Sequence, residues 1–247
     1  MTQTVLALGC ILLSSVPVVA SAADWRADVT GFADRFSVGR DDEHQLDVSL
    51  GRRLENGWTP VAALTFQRRY QQIDVRGEGW LYTPGFGPVY GWVMAGATHD
   101  SDFLAQSVAE VGAEGEFATG TGATARVRWV DHGDQTIWML WAIARQQLGP
   151  VQIEAGRVWS LSSTQPHVGT WQAAVRPPAI GPLRLRLFTS IGEENNPPLP
   201  IGGVLVVGAQ AWWKLDPSTT LRGELTYEDR ENLYKRAGLA LGLTVRF

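Results

Sequence analysis

The chain has 247 residues, enough for one barrel-sized domain or two small ones. Charged residues make up 19% and the formal net charge is −4, which argues against a nucleic-acid partner. Mean hydropathy is −0.07, and past the N-terminus no apolar run reaches about 18 residues, which excludes transmembrane helices but not a barrel of alternating strands.

Residues 5–20 are an apolar run leading into Ala20-Ser21-Ala22, an A-x-A cleavage pattern. This predicts a secretory signal over 1–22 and a barrel domain over 23–247. The opening residues MTQT depart from the usual signal by lacking Lys or Arg. Cys10 follows Ala-Leu-Gly, a lipobox-like pattern, but apolar residues continue to Ala20 where a polar tether is needed. Lipidation is therefore not expected. With 1 Cys in the chain, removal of the signal leaves no thiol and no disulfide.

Period-two alternation then predicts about 14 strands, with 12 to 16 in range. The first, 25–36, sets Trp25, Ala27, Val29 and Ala33 against Arg26, Asp28, Thr30 and Asp34. The second, 45–54, sets Leu46, Val48 and Leu50 against Asp47, Ser49 and Arg53, and Asn56-Gly57 follows as a hairpin turn. Strands over 58–70, 71–82, 89–97, 105–117 and 123–130 come next. The strand over 136–147 is apolar on both faces and taken alone could be called a helix. Strands over 151–159, 168–176, 183–191, 204–215 and 221–227 lead to the last stretch, 232–247. There Ala237, Leu239, Leu241, Leu243, Val245 and Phe247 share one face, and Arg236, Gly238, Ala240, Gly242, Thr244 and Arg246 share the other.

Connections fall into two alternating sets. Asn56-Gly57, Gly149-Pro150 and Asp216-Pro217 represent the tight Gly/Pro set; Asp41–Glu43, Asp100–Asp102, Asp131–Asp134, Glu193-Glu194 and Glu228–Glu231 form an acidic set. The predicted fold is an all-β, antiparallel up-and-down transmembrane β-barrel in the outer membrane of a Gram-negative bacterium, with periplasmic termini and acidic loops outside. The final amphipathic strand ending in Phe247 resembles the signal read by the barrel-assembly machinery. Expected partners are that machinery, outer-membrane lipid and lipopolysaccharide; a monomer is expected, and no cofactor.

From about Gly51 onward the sequence resembles the YaiO family of outer-membrane β-barrels. The likeness rests on Gln67-Arg68-Arg69-Tyr70 followed by Asp74, on Tyr90-Gly91-Trp92 to Gly96, and on residues 98–103 running into Gly112-Ala113-Glu114. It implies an outer-membrane location and little chemistry. Barrels of this type sit near surface-polysaccharide machinery, so a glycan-linked role follows by analogy only.

Polar faces of the predicted strands place Asp74, Arg76, Glu78, Glu110, Glu114, Arg126, Arg128, Arg176, Arg184, Arg186, Arg222 and Glu224 toward the lumen, along with Asp47, Arg53, Glu116, Glu154 and Arg236. Arg126 and Arg128 are expected to meet Glu110 and Glu114 across a hairpin. One reading is a porin-like hydrated pore whose Arg-rich wall (Arg126, Arg128, Arg176, Arg184, Arg186) guides an anionic solute or saccharide. The other is a closed, ion-paired lumen. About 8 strands fill themselves with side chains and about 16–18 leave a channel, so fourteen leaves both open.

The four histidines His44, His99, His132 and His167 fall at predicted outer loops without the fixed spacing of a metal site. His99-Asp100-Ser101 resembles the His and Ser of outer-membrane acyl hydrolases, on the parity of Val93 and Ala95; the sequence assigns no orienting residue, and a hydrolase is the minor alternative. The many Trp and Tyr residues near strand ends suit interfacial girdles, with Trp80 and Trp92 inward as a sugar-stacking alternative.

Overall fold

The computed structural model describes residues 25–37, 42–69, 71–99, 101–117, 120–164, 166–194, 202–231 and 233–247. The predicted signal segment lies outside them. The strands are β1 Trp25–Phe36, β2 Glu43–Arg52, β3 Thr59–Arg69, β4 Gln72–Tyr82, β5 Val89–His99, β6 Ser107–Phe117 and β7 Thr121–Asp131. They continue as β8 Thr136–Leu148, β9 Val151–Ser162, β10 Val168–Arg176, β11 Leu183–Glu194, β12 Gly202–Lys214, β13 Thr219–Arg230 and β14 Tyr234–Arg246. Each pairs antiparallel with its sequence neighbours, and β1 pairs with β14 to close the barrel. At the seam the Trp25 N–H donates to the Phe247 carbonyl at 3.0 Å and the Phe247 N–H donates back at 3.1 Å. Closure leaves no unpaired edge.

The all-β up-and-down barrel with 14 strands is thus the fold that alternation predicts. The pleat sorts side chains as expected, but burial is inverted relative to a water-soluble protein. Leu225 is 61% exposed and Leu241 57%, whereas Asp74 is 0% exposed and Arg69 is 2%. Most apolar side chains face outward and most charged ones inward, the arrangement of a barrel solvated by lipid. Of the aromatics, Trp129, Trp138, Trp159, Trp171, Trp213 and Tyr227 take outward register positions.

The connections separate to two rims. One, the turn end, holds Asn56-Gly57, residues 83–88, Gly149-Pro150 and residues 177–182. Gly57 sits at φ +84, left-handed backbone that a side chain disfavours. At the turn after β12, Asp216 accepts hydrogen bonds from Ser218 N–H and Oγ, each at 2.7 Å, which hold its carboxyl below the ordinary carboxylate range. The other rim, the loop end, carries the acidic segments.

One sequence expectation holds here and another changes. The segment read as apolar on both faces is strand β8, with Ile137, Met139 and Trp141 buried inside the barrel and Trp138 outside. They join Met94, Val108, Val130 and Val158 in an apolar patch on the inner wall. The strands also run further into the acidic segments than alternation suggests. β2 begins at Glu43 rather than 45 and ends before Arg53, which is exposed; β13 continues past 227 to Arg230. Charges that look like solvated loop are inward strand positions, tolerated because each meets an opposite charge.

Candidate functional site: the lumen and its two mouths

The inward charges form connected groups. Near the loop end, β13 and β14 contribute Glu228, Arg230, Tyr234 and Arg236. Glu228 accepts from Arg236 Nη2 at 2.5 Å, from Arg230 Nε at 2.8 Å and from Tyr234 Oη at 3.0 Å. Arg236 reaches Asp34 on β1 at 3.5 Å, and Arg69 on β3 pairs with Glu43 on β2 at 3.4 Å. Glu43, Arg69, Glu228, Arg230 and Arg236 are all buried. Only Arg236 of this group was legible as a lumen charge; the others looked like loop or family-motif residues.

Beside that group, Asp74 holds down a loop. Its carboxylate accepts backbone N–H groups from Asp102 at 3.1 Å, Phe103 at 3.0 Å and Leu104 at 2.7 Å. Three successive amides aimed at one anion make a well-defined cradle. The loop turns inward: Phe103 is buried, and Ala105 packs into the inner apolar patch with Met94 and Val108. Thr98 ties its far end by donating to the Ala105 carbonyl at 2.5 Å. Of the resemblance block 98–103, Thr98 and His99 end β5, while Asp102 and Phe103 belong to the segment drawn inward to Asp74.

Along the wall, Glu110 pairs with Arg128 at 2.6 Å and Arg126 at 3.7 Å, and takes the indole N–H of Trp92 at 2.7 Å. Arg126 stacks over the Trp141 ring at 3.9 Å. Glu114 does not meet those arginines; it pairs with Arg145 on β8 at 2.6 Å, a residue hidden within the apolar-looking segment. Glu154 pairs with Arg176 at 2.8 Å and Arg186 at 2.9 Å. From Arg186 the chain of bonds passes through Gln210 at 3.3 Å to Glu224 at 2.7 Å. Arg76 pairs with Glu78 at 2.8 Å. Most of the expected Arg-rich wall is thus charge-balanced.

The turn-end mouth differs. Among the described residues Arg184, Arg222 and Arg246 make no ion pair, and Arg222 bonds only the Thr30 hydroxyl, at 2.7 Å. On the other side of this mouth inward aromatics form a ladder. Trp80 stacks on Tyr82 at 6.1 Å, Tyr82 meets Trp92 at 6.5 Å, and Trp92 meets Tyr90 at 6.2 Å. The Trp92 ring lies across Gly112, where a Cβ would collide with it.

His99 ends β5 on the outward face opposite Val75, and Ser101 follows in the loop; Asp100 lies outside the described residues. Among the described residues no group of three or more His, Asp and Glu side chains is arranged to hold a metal ion. His132, in the β7–β8 loop, is partly buried with neither ring nitrogen hydrogen-bonded. Burial pushes its imidazole below the ordinary histidine range, against the opposing pull of Asp134 and Asp131.

No family model matches the chain, and no curated protein matches its sequence. Solved structures match its fold. A bacterial polysaccharide outer membrane secretin aligns over 92% of this chain and 100% of its own, with TM-score 0.69 at 10% identity. The CymD monoaromatic hydrocarbon channel covers 91% of this chain and 89% of its own, with TM-score 0.67 at 8% identity. An anion-selective porin from Comamonas acidovorans covers 90% and 98%, with TM-score 0.50 at 9% identity. The fold is that of the outer-membrane β-barrels.

Proposed function

We propose that the protein is a YaiO-type barrel spanning the outer membrane, with its termini in the periplasm, and works as a narrow passive channel for an anionic, sugar-like solute. The observation that carries this reading is the asymmetry of the lumen. Arg184, Arg222 and Arg246, which form no ion pair among the described residues, stand at the turn-end mouth, opposite the ladder Trp80–Tyr82–Trp92–Tyr90. Guanidinium groups offer paired donors to carboxylate or phosphate, and aromatic faces suit the apolar faces of sugar rings. The inward loop held by Asp74 narrows the path. Assembly through the C-terminal strand belongs to the same reading.

Single-channel conductance in a planar bilayer tests it. Steady conductance blocked by acidic oligosaccharides is expected, with the block weakened about tenfold in Arg184→Gln/Arg222→Gln, the loss of about one charge-assisted contact. Absence of conductance from folded protein would defeat the channel reading and favour a sealed structural barrel. The specific support for that second reading is the buried Phe103 loop itself.

A further inference from the structure

The outward face of β1–β5 carries basic side chains and, among the described residues of those strands, no carboxylate. Three of the basic residues stand together at the loop end: Arg35 on β1, His44 on β2 and Arg68 on β3, all exposed. His44 is directly opposite Arg68, and also opposite Ala33, which makes Arg35 its diagonal neighbour. Such positions put Cβ atoms about 5 Å apart when opposed and about 7–8 Å apart when diagonal, so long side chains converge. Among the described residues, none of the three forms an ion pair with a neighbouring acid. Asp229 is taken by Lys235 at 3.4 Å, and Asp42 forms no ion pair among the described residues. Immediately below lie exposed Leu46, Leu64 and Phe66. Cations above an apolar wall match a phosphate head group above acyl chains.

We propose that Arg35, His44 and Arg68 form a binding site, on the outer wall at the loop end, for the phosphorylated head group of a glycolipid of the lipid A type in the surrounding leaflet. Arg68 and Arg35 supply paired N–H donors to phosphate oxygens; the apolar wall below accepts the chains. This inference rests on the membrane reading above and is independent of whether the lumen conducts. Arg157 supplies an internal contrast. It is also an outward cation, on β9 across the barrel, but is clasped by the Trp171 ring at 5.0 Å and the Trp159 ring at 5.5 Å.

Native mass spectrometry of the refolded full chain in detergent tests the site, with bisphosphorylated lipid A, dephosphorylated lipid A and inorganic phosphate as probes. Arg35→Gln/Arg68→Gln is expected to retain about tenfold less lipid A than the unaltered chain, and Arg157→Gln as much as the unaltered chain. Dephosphorylated lipid A should be retained about tenfold less, and millimolar inorganic phosphate should not displace the lipid. Equal retention by the double variant, equal loss in Arg157→Gln, or displacement by inorganic phosphate would each overturn the proposal. Heat-modifiable gel migration establishes that each variant is folded, and the two single variants serve if the double does not fold. Failure of the membrane reading would appear separately, as failure to insert into liposomes.

Discussion

The two ends of the lumen are built from the same residue types and behave as opposites. At the loop end, carboxylates and guanidinium groups lock one another: Glu228 alone takes Arg230, Arg236 and Tyr234, and Asp74 pins three backbone amides. At the turn end, Arg184, Arg222 and Arg246 form no ion pair among the described residues and aromatics line the facing wall. The difference teaches that charge inside a barrel is not one property. Where carboxylates and guanidinium groups meet, they tie neighbouring strands together; where arginines lack an ion pair, their donors are not committed to a carboxylate.

Breaking the locked end should have the largest effect. Glu228→Gln leaves buried Arg230 and Arg236 without their shared carboxylate, with an expected cost of about 3–5 kcal/mol, the range for stripping one partner from a buried ion pair. Urea unfolding of the vesicle-inserted barrel measures it, and an unchanged midpoint would mean the two arginines find other partners. Asp74→Ala removes the acceptor for the Asp102, Phe103 and Leu104 amides and is expected to cost about 2–3 kcal/mol, the scale of hydrogen bonds to a charged group. It should also raise conductance by releasing the loop; a lower stability with unchanged conductance would show that the loop does not obstruct the path.

The turn end should respond more mildly. A methyl group at position 112 collides with the Trp92 ring. Gly112→Ala is therefore expected to cost about 1–3 kcal/mol through overpacking and to weaken oligosaccharide block by shifting the ladder. Tryptophan fluorescence follows the displaced ring. The smallest effect is a pH dependence at the loop rim. The His132 imidazole is held below its ordinary value of 6.5 by burial. The unfolded chain therefore binds the proton first, and stability falls as pH drops below about 6.5 until the folded-state value is passed. Above that pH the group contributes no slope. His132→Gln should remove this part of the acid sensitivity; an identical pH profile in the variant would assign it to other groups.

The sequence reading and the structure agree where side-chain period decides and part where contact across strands decides. β1 and β10 begin and end where alternation places them. Asp74, Glu110, Arg126, Glu154 and Arg186 were legible as inward charges because each alternates with outward apolar residues. Glu43, Arg69, Arg145, Glu228 and Arg230 were not. Three of them sit in stretches with the composition of a loop, Arg69 sits beside outward Arg68, and Arg145 is concealed by inward Met139 and Trp141. Nothing local distinguishes a solvated glutamate from one that closes a buried network with partners on two other strands.

The sequence by itself determined the pleat: a period of two fixes which side chains leave each face, and alternating turn chemistry fixes the up-and-down order. Only the tertiary structure decided which charge meets which. Pairing depends on the stagger of fourteen strands around a closed ring, so Glu114 passes over its own hairpin partner to reach Arg145, and the amides of residues 102–104 turn inward to Asp74. Those choices are set by register and closure, which no single strand encodes, and they leave one rim ion-paired and the other with three arginines outside any ion pair among the described residues.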